Sequence, residues 1–520
     1  MQLNAIQLDE LPKLAWCLRI KKNHERADLY HGSDVQVGSD YFYEGIWDGS
    51  IEKKTFDTSV SFLGSGGKII NHTARICTPT HTFQKICTYK NNDTFYASNS
   101  LAFLLALSGN TILLDYPYYS IDTMSIIKGF DNYTDSIPVS KGSVDCHYYC
   151  NIEVDCQLNV KKLAKNPVQR FHNFEEYRGF LNNTIQNLLS NALATKRSQH
   201  YRPISTISSG YDSPMCSAIM RNFGCKEAIT FVDARKYQFS DNDSGENIGK
   251  HLGYTVHKYH RLDYLSSPGM PEIEFFSLGT EGEDVIFSPM ASLLNHKILV
   301  TGYNGDNVWG FKKGTRRCIR RSDPSAMDLE EFRLRVGFIH FPLPALGAVN
   351  YPDIQAISKS REMRPWVLGL IDDRPIPRRI LDEAGIPREW YAQEKRAVTI
   401  AYAGEGLKER MKPESYQDFM QFYHQLPPSN YPWLERKHHW TRALYNMNVR
   451  LNSFTNPKLR RLHVPLKLKP VISRVYKFQL GLISYTFHWS MLKMITRYQQ
   501  ALGSFTHLTS DFSLIANNEA

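Results

Sequence analysis

Ile204-Ser205-Thr206-Ile207-Ser208-Ser209-Gly210-Tyr211-Asp212-Ser213 decides how the rest of the chain is read. The β-branched run after Pro203 suits a buried strand. Small polar residues then lead into Pro214-Met215-Cys216-Ser217-Ala218-Ile219-Met220, which has helical apolar spacing. A strand, a tight polar turn and a helix N-terminus make an anion cradle, because free backbone N–H groups and the positive end of the helix dipole point at one spot. Ser208, Ser209 and Ser213 add hydroxyl donors, and Gly210 lets the backbone approach a phosphate closely. Asp212 would repel a bare phosphate, so its natural partner is a magnesium ion carried in with that phosphate. The same ten residues also fit an ordinary strand-to-helix turn with a serine cap.

A second stretch repeats the pattern. Lys297-Ile298-Leu299-Val300-Thr301-Gly302 reads as another buried strand, running into Tyr303-Asn304-Gly305-Asp306-Asn307-Val308-Trp309-Gly310. If the two strands are parallel neighbours, Asp212 and Asp306 both lie at the carboxyl edge of the sheet, where open α/β sheets bind ligands. Two carboxylates there can hold magnesium across a triphosphate.

S-x-G-x-D-S followed about ninety residues later by T-G-x-x-x-D-x-x-x-G resembles the synthetase domain of the asparagine synthetase and β-lactam synthetase family. The resemblance covers roughly residues 200–400 and implies a pyrophosphate-loop ATP hydrolase fold that binds ATP and Mg2+. That family usually carries S-G-G-x-D-S and then G-E-G-x-D-E. Here the first Gly is Ser209, the Glu after Gly302 is Tyr303, and the final Glu is Asn307. The β-lactam synthetase branch also has a tyrosine at the position of Tyr303, where with a glutamate it helps deprotonate an amine. Gln393-Glu394-Lys395-Arg396 stands where the family has its transition-state lysine, which implies that role for Lys395.

The chain has 520 residues, enough for two to four domains. Charged residues make up 22% and hydrophobic residues 42%, an ordinary soluble balance, and the net charge of +10 invites an anionic partner. No signal peptide or run of eighteen apolar residues is visible, so the expectation is a cytoplasmic protein whose sequons at Asn71, Asn92, Asn132 and Asn182 are chance. Nine scattered cysteines fit reduced thiols.

Residues 1–175 read as strand-rich. Trp16-Cys17-Leu18-Arg19-Ile20, Ser59-Val60-Ser61-Phe62-Leu63, Thr94-Phe95-Tyr96-Ala97-Ser98 and Tyr148-Tyr149-Cys150-Asn151-Ile152-Glu153-Val154 alternate apolar and polar residues, and 99–107 suits a short helix. The resemblance implies an N-terminal nucleophile hydrolase-like α+β domain here. Its nucleophile would be a cysteine at position 2. Gln2 stands there, and an amide cannot attack a carboxamide carbon, so the expected domain is a degenerate glutaminase. Cys17 would serve only after a cut just before it. Gly64-Ser65-Gly66-Gly67-Lys68 resembles a phosphate loop without Walker spacing, and a hairpin turn is the better reading. Cys146, His147, Cys150 and Cys156 fit no common zinc spacing.

From 176 to 430 helices and strands alternate, which supports a doubly wound parallel sheet. The span 174–195 has helical apolar spacing. Ala228-Ile229-Thr230-Phe231-Val232-Asp233 reads as a second strand and 254–260 as a third. The resemblance places adenine at the second strand's end, making Phe231 and Val232 candidates for its wall; simple core packing is the other reading. Ser240-Asp241-Asn242-Asp243 is expected to cap the helix that follows. Glu281-Gly282-Glu283-Asp284 is an acid cluster that suits magnesium, a substrate amine or a solvated helix end. Glu330 and Glu331 are candidates to partner Tyr303 as a base. Arg374, Arg378 and Arg379 could meet a carboxylate or pyrophosphate, though a surface basic turn also accounts for them.

The last segment, 431–520, is basic and aromatic-rich. Arg436, Lys437, Arg442, Arg450, Lys458, Arg460, Arg461, Lys467, Lys469, Arg474 and Lys477 accumulate there, and 476–498 interleaves Phe478, Leu480, Leu482, Ile483, Phe487, Trp489, Met491 and Leu492. A helical extension with these aromatics in its core is favoured, and contact with the inner face of a membrane is the next reading. A nucleic-acid patch is not expected.

The function that follows is an AMP-forming carbon–nitrogen ligase joining a small-molecule or peptide carboxylate to an amine, or to ammonia from solution or a partner. The alternatives are a glutamine-hydrolysing asparagine synthetase-like amidotransferase, an enzyme that adenylates RNA, and a non-catalytic scaffold.

Overall fold

The computed structural model describes residues 1–116, 118–233, 242–280, 282–311, 321, 324–369, 373–393, 398–400, 406–426 and 482–506. Ser240, Asp241, Glu281, Glu394, Lys395, Arg396, Phe478, Leu480 and the basic residues from Arg436 to Lys477 lie outside them.

The first half contains two sheets, as its alternating patterns predict. A seven-stranded sheet includes Trp16–Lys21 and Thr94–Ser98, and a six-stranded antiparallel sheet includes Phe62–Ile70 and Cys150–Val154. They pack face to face, with Trp16, Leu18 and Ile20 of one against Phe42, Ile76 and Ile152 of the other. Ser100 caps the helix Leu101–Ser108 through the Phe103 N–H, and Gly109 ends it in the left-handed region.

The glycine run at 64–68 is not a hairpin turn. It lies inside the strand Phe62–Ile70, paired on both sides. Gly64 (φ +141°) faces Gly45 (φ +114°), and a Cβ on Gly64 would stand 2.1 Å from the carbonyl oxygen of Glu44. The glycines permit a close strand approach, a demand that exists only once the partner strand is in place. The expected strand at 148–154 is also shorter, because Tyr149 (φ +51°) makes a turn before Cys150.

The third sheet is wholly parallel and has five strands, in the order Thr255–Tyr259, Glu227–Phe231, Arg202–Thr206, Lys297–Thr301, Ile339–Pro342. Alternate residues serve different cores: Ile204, Ile229 and Leu299 face one, Ala228, Ile298 and Val300 the other. Both faces are therefore covered, as parallel sheets require. Arg202–Thr206 and Lys297–Thr301 are direct neighbours, Ser205 opposite Val300. Strand order reverses between them, which opens a crevice at their carboxyl ends. The helix Phe174–Ala192 begins where its apolar spacing starts, with Asn173 accepting from the Glu176 N–H.

One short helix, Glu330–Val336, ties the parallel sheet to the N-terminal sheets. Arg333 makes a double hydrogen-bonded pair with Glu44 (2.7 and 3.1 Å), both side chains almost wholly buried. Glu330 pairs with Lys85 at 3.4 Å. Glu331 accepts from Ser100 Oγ (2.5 Å) and from the hydroxyl of Tyr498 (2.8 Å). The helix Thr486–Thr506 buries Phe487, Trp489, Met491 and Tyr498, with Tyr498 stacked on Phe103 at 4.8 Å. Those aromatics are core, so their apolar surface is turned into the protein. Among the described residues no helix is long and apolar enough to cross a membrane.

Candidate active site at the carboxyl edge of the parallel sheet

The strand Arg202–Thr206 ends in a loop that enters the helix Asp212–Arg221. Ser208 organises the turn: its Oγ accepts from the Gly210 N–H at 3.1 Å and lies 2.9 Å from Ser213 Oγ. Ser209 has a different task from the one its hydroxyl suggests. It donates through Oγ to Asp243 Oδ1 (2.7 Å) and through N–H to the Asp243 carbonyl (3.1 Å). Its own carbonyl accepts from the Ala392 N–H at 2.6 Å. Asp243 therefore braces the loop. It does not cap the following helix, Glu246–His251, where the Ser244 hydroxyl takes the Glu246 N–H instead.

The second loop lies directly on the first. A Cβ on Gly302 would stand 2.6 Å from the backbone at Asp212 and Ser213, and one on Gly305 would stand 2.5 Å from Asp212 Cγ. Only glycine allows that approach. Asn304 takes a left-handed turn (φ +69°), and Asp306 follows in the short helix Gly305–Val308. The Asn307 amide donates to Asn304 Oδ1 (2.8 Å) and approaches Asp306 Oδ1 (3.4 Å). Where the resembled pattern has a glutamate, Asn307 knits the loop that presents Asp306.

The arginines at 374–379 are not a surface turn. Arg374, 8% exposed, pairs with the Asp212 carboxylate. Arg378, 4% exposed, binds Asp373 (2.7 Å) and donates to the Tyr211 hydroxyl (2.7 Å). The Arg388 guanidinium also reaches that hydroxyl at 3.4 Å. Three guanidinium groups thus surround Tyr211: Arg378 from the helix Pro375–Glu383, which packs on the helix Asp212–Arg221, Arg374 from the residue before that helix, and Arg388 from the turn after it. Arg379 turns away, onto Phe174 and Trp366.

Tyr303 is half-buried, and its hydroxyl donates to Asp284 Oδ1 at 2.5 Å. The other Asp284 oxygen accepts from the Ala326 N–H at 2.5 Å. Asp328 sits against Asp284, whose N–H donates to Asp328 Oδ2 at 3.1 Å. Burial, and then the neighbouring Asp284 charge, hold Asp328 well above the usual carboxylate range. Asp328 is thereby held toward its neutral form beside the carboxyl that accepts from Tyr303. Burial and the Asp284 charge also hold the Tyr303 phenol well above its usual range. His340, hydrogen-bonded to Thr301 (2.9 Å), lies edge-on to Tyr303 at 6.2 Å. Glu330 and Glu331 do not partner Tyr303: they are engaged by Lys85, Ser100 and Tyr498. The partner comes instead from the acid cluster at 281–284, and its only sequence signal is that clustering.

The remaining candidates divide. Phe231 is buried edge-on to Phe287 at 5.8 Å, the core position its alternative reading gives it, while Val232 is half-buried just beyond the strand. Lys395 lies outside the described residues, although the chain two residues before Glu394 is bonded to the Ser209 carbonyl through Ala392. Gln2 is exposed on the strand Gln2–Gln7. Cys17 is fully buried in a strand paired on both sides, and burial pushes its thiol well up, the opposite of a nucleophile. Cys146 lies opposite Cys87 across paired strands. Among the described residues no group of three His, Cys, Asp or Glu side chains is gathered to hold a metal.

No family model matches the chain, and neither does any curated protein. One similar solved structure is described as a predicted subunit of tRNA methyltransferase from Methanocaldococcus jannaschii. It is 18% identical over 38% of this chain and 94% of its own, with a TM-score of 0.18. A likeness of that score transfers neither fold nor activity.

Proposed function

We propose that the protein is an ATP-dependent ligase of the asparagine synthetase type, which activates a carboxylate as its acyl adenylate and transfers the acyl group to an amine. The parallel sheet is then of the adenine nucleotide α-hydrolase type, spanning 176–430 between an inactive glutaminase-like region and a helical extension. The observation that carries this reading is the contact of Gly302 and Gly305 with Asp212, which brings two Asp-bearing loops together at the sheet's switch point.

The donor set suits a magnesium-bound triphosphate: two carboxylates on touching loops, the Ser208 and Ser213 hydroxyls, and the N-terminus of the helix Asp212–Arg221. When bound, magnesium supplies charge neutralisation between the phosphates. Gly210, whose N–H donates to Ser208 Oγ at 3.1 Å, carries no side chain to obstruct a phosphate at the turn. Arg374 would share Asp212 and reach an adjacent phosphate oxygen. Lys395 would steady charge on the reacting phosphorus, as the resemblance implies. Tyr303 would take the proton from the attacking amine while passing its own to Asp284, whose Oδ1 already accepts from the phenol.

ATP–pyrophosphate exchange with a panel of carboxylic acids tests the reading. Exchange that requires one acid and disappears in Asp306→Ala is expected. Its absence with every acid, in protein that ATP also fails to protect from thermal unfolding, would leave the scaffold reading in its place.

A further inference from the structure

Among the described residues, Glu331 is a buried carboxylate with no cation beside it. It is 2% exposed and accepts from the hydroxyls of Ser100 and Tyr498. Its neighbours differ. Glu330 has Lys85, Glu44 has Arg333, and Glu274 has both Arg335 (2.5 Å) and Arg497 (3.7 Å). Among the described residues no Lys, Arg or His nitrogen stands within 4.0 Å of Glu331. Burial accordingly raises its carboxyl to about 7. A buried charge in this state is costly, and a cation brought to it relieves the cost.

Glu331 also lines a cavity of about 550 Å3, between residues 10–13, the helix Glu330–Val336 and the helix Thr486–Thr506. That volume is in the range that holds small ligands. Its walls are largely apolar, from Leu11, Pro12, Met494 and Ala501. The cations on its rim are already committed, Arg335 and Arg497 to Glu274 and Lys13 to Asn295 Oδ1 at 2.8 Å. The cavity therefore offers an uncompensated anion beside apolar surface.

We propose that this cavity binds a primary amine carried on a short apolar chain, with the ammonium on Glu331 and the hydrocarbon against Leu11, Met494 and Ala501. The ammonium has three donors, and Glu331 and the Tyr498 hydroxyl, both on the cavity wall, supply acceptors for them. None of these residues contacts Tyr303 or Asp212, so the site is separate from the proposed ligase centre and stands without it.

The test is calorimetric titration of the full chain at pH 7.5 with n-hexylamine and, as a neutral match, n-hexanol. Hexylamine is expected to bind at least ten-fold more tightly than hexanol. That preference should vanish in Glu331→Gln, and both ligands should be excluded by Ala501→Phe, which fills the cavity and leaves the carboxylate in the chain. Thermal unfolding of each variant establishes that it is folded, and Ala501→Phe with the alcohol comparison suffices if Glu331→Gln is not. Equal binding of amine and alcohol would overturn the proposal, as would hexylamine binding that survives in folded Glu331→Gln. Absence of hexylamine binding to folded wild-type protein would overturn it too.

Discussion

The carboxylate of Asp212 packs against the backbone of Gly305, so closely that a Cβ on Gly305 would lie 2.7 Å from Asp212 Oδ1. Asp306 is the next residue. The two carboxylates are thus set by one close contact between loops that are 93 residues apart in the chain. The arrangement of the proposed site rests on glycine at 302 and 305 as much as on the acids.

Gly305→Ala should therefore misplace the second loop. Overpacking of this kind costs about 1–3 kcal/mol, and ATP protection should fall with it. Gly179→Ala is the matched control. It lies in the helix Phe174–Ala192 with nothing within 4 Å of the added methyl, and should stabilise by about 0.5–1 kcal/mol. Chemical denaturation of the two variants separates these effects.

Tyr303→Phe should leave ATP–pyrophosphate exchange near the wild-type rate while slowing amide formation by roughly 10²–10⁴-fold, the range for loss of a general base. Asp284→Asn should show the same split, because its hydrogen bond to the phenol is what receives the proton. Equal losses in both half-reactions would assign Tyr303 to binding and not to proton transfer.

Much of the architecture is legible in the chain because its signals are local. The β-branched runs at 204–207 and 297–301 become neighbouring parallel strands, and the apolar spacing from Phe174 becomes a long helix. The errors come from partners remote in sequence. The glycines at 64–68 look like a turn because the strand carrying Gly45 cannot be seen from them. Glu330 and Glu331 look available for Tyr303 because Lys85, Ser100 and Tyr498 lie 167 to 245 positions away. Arg374 and Asp243 escape for the same reason: each is defined by what it touches across the fold, Asp212 and Ser209.

The pair Arg333–Glu44 predicts a large asymmetric effect. Glu44→Gln leaves the Arg333 guanidinium uncompensated in the interior, at a cost of about 3–5 kcal/mol. The double change Glu44→Gln with Arg333→Met should recover part of that loss. Urea unfolding of the three proteins gives the comparison, and equal stability of single and double variants would deny the pair its role.

Glu331 predicts a pH dependence with a definite sign. Its folded-state value of about 7 lies above the unfolded carboxyl value, so the unfolded state releases the proton first as pH rises. Its contribution is neutral in acid below the unfolded value, becomes progressively destabilising between about 4.5 and 7, and is constant above. The full effect is on the order of 3 kcal/mol. Glu331→Gln should flatten stability across that window, as read from urea midpoints between pH 5 and pH 8.

The nucleotide site stands or falls on equilibrium binding of ATP, with and without magnesium, to wild-type protein, Asp212→Asn and Asp306→Asn. Magnesium-dependent binding in the wild type that weakens at least ten-fold in each variant is the predicted result. Binding that ignores magnesium, or that both variants retain in full, would contradict a nucleotide site built on these two loops.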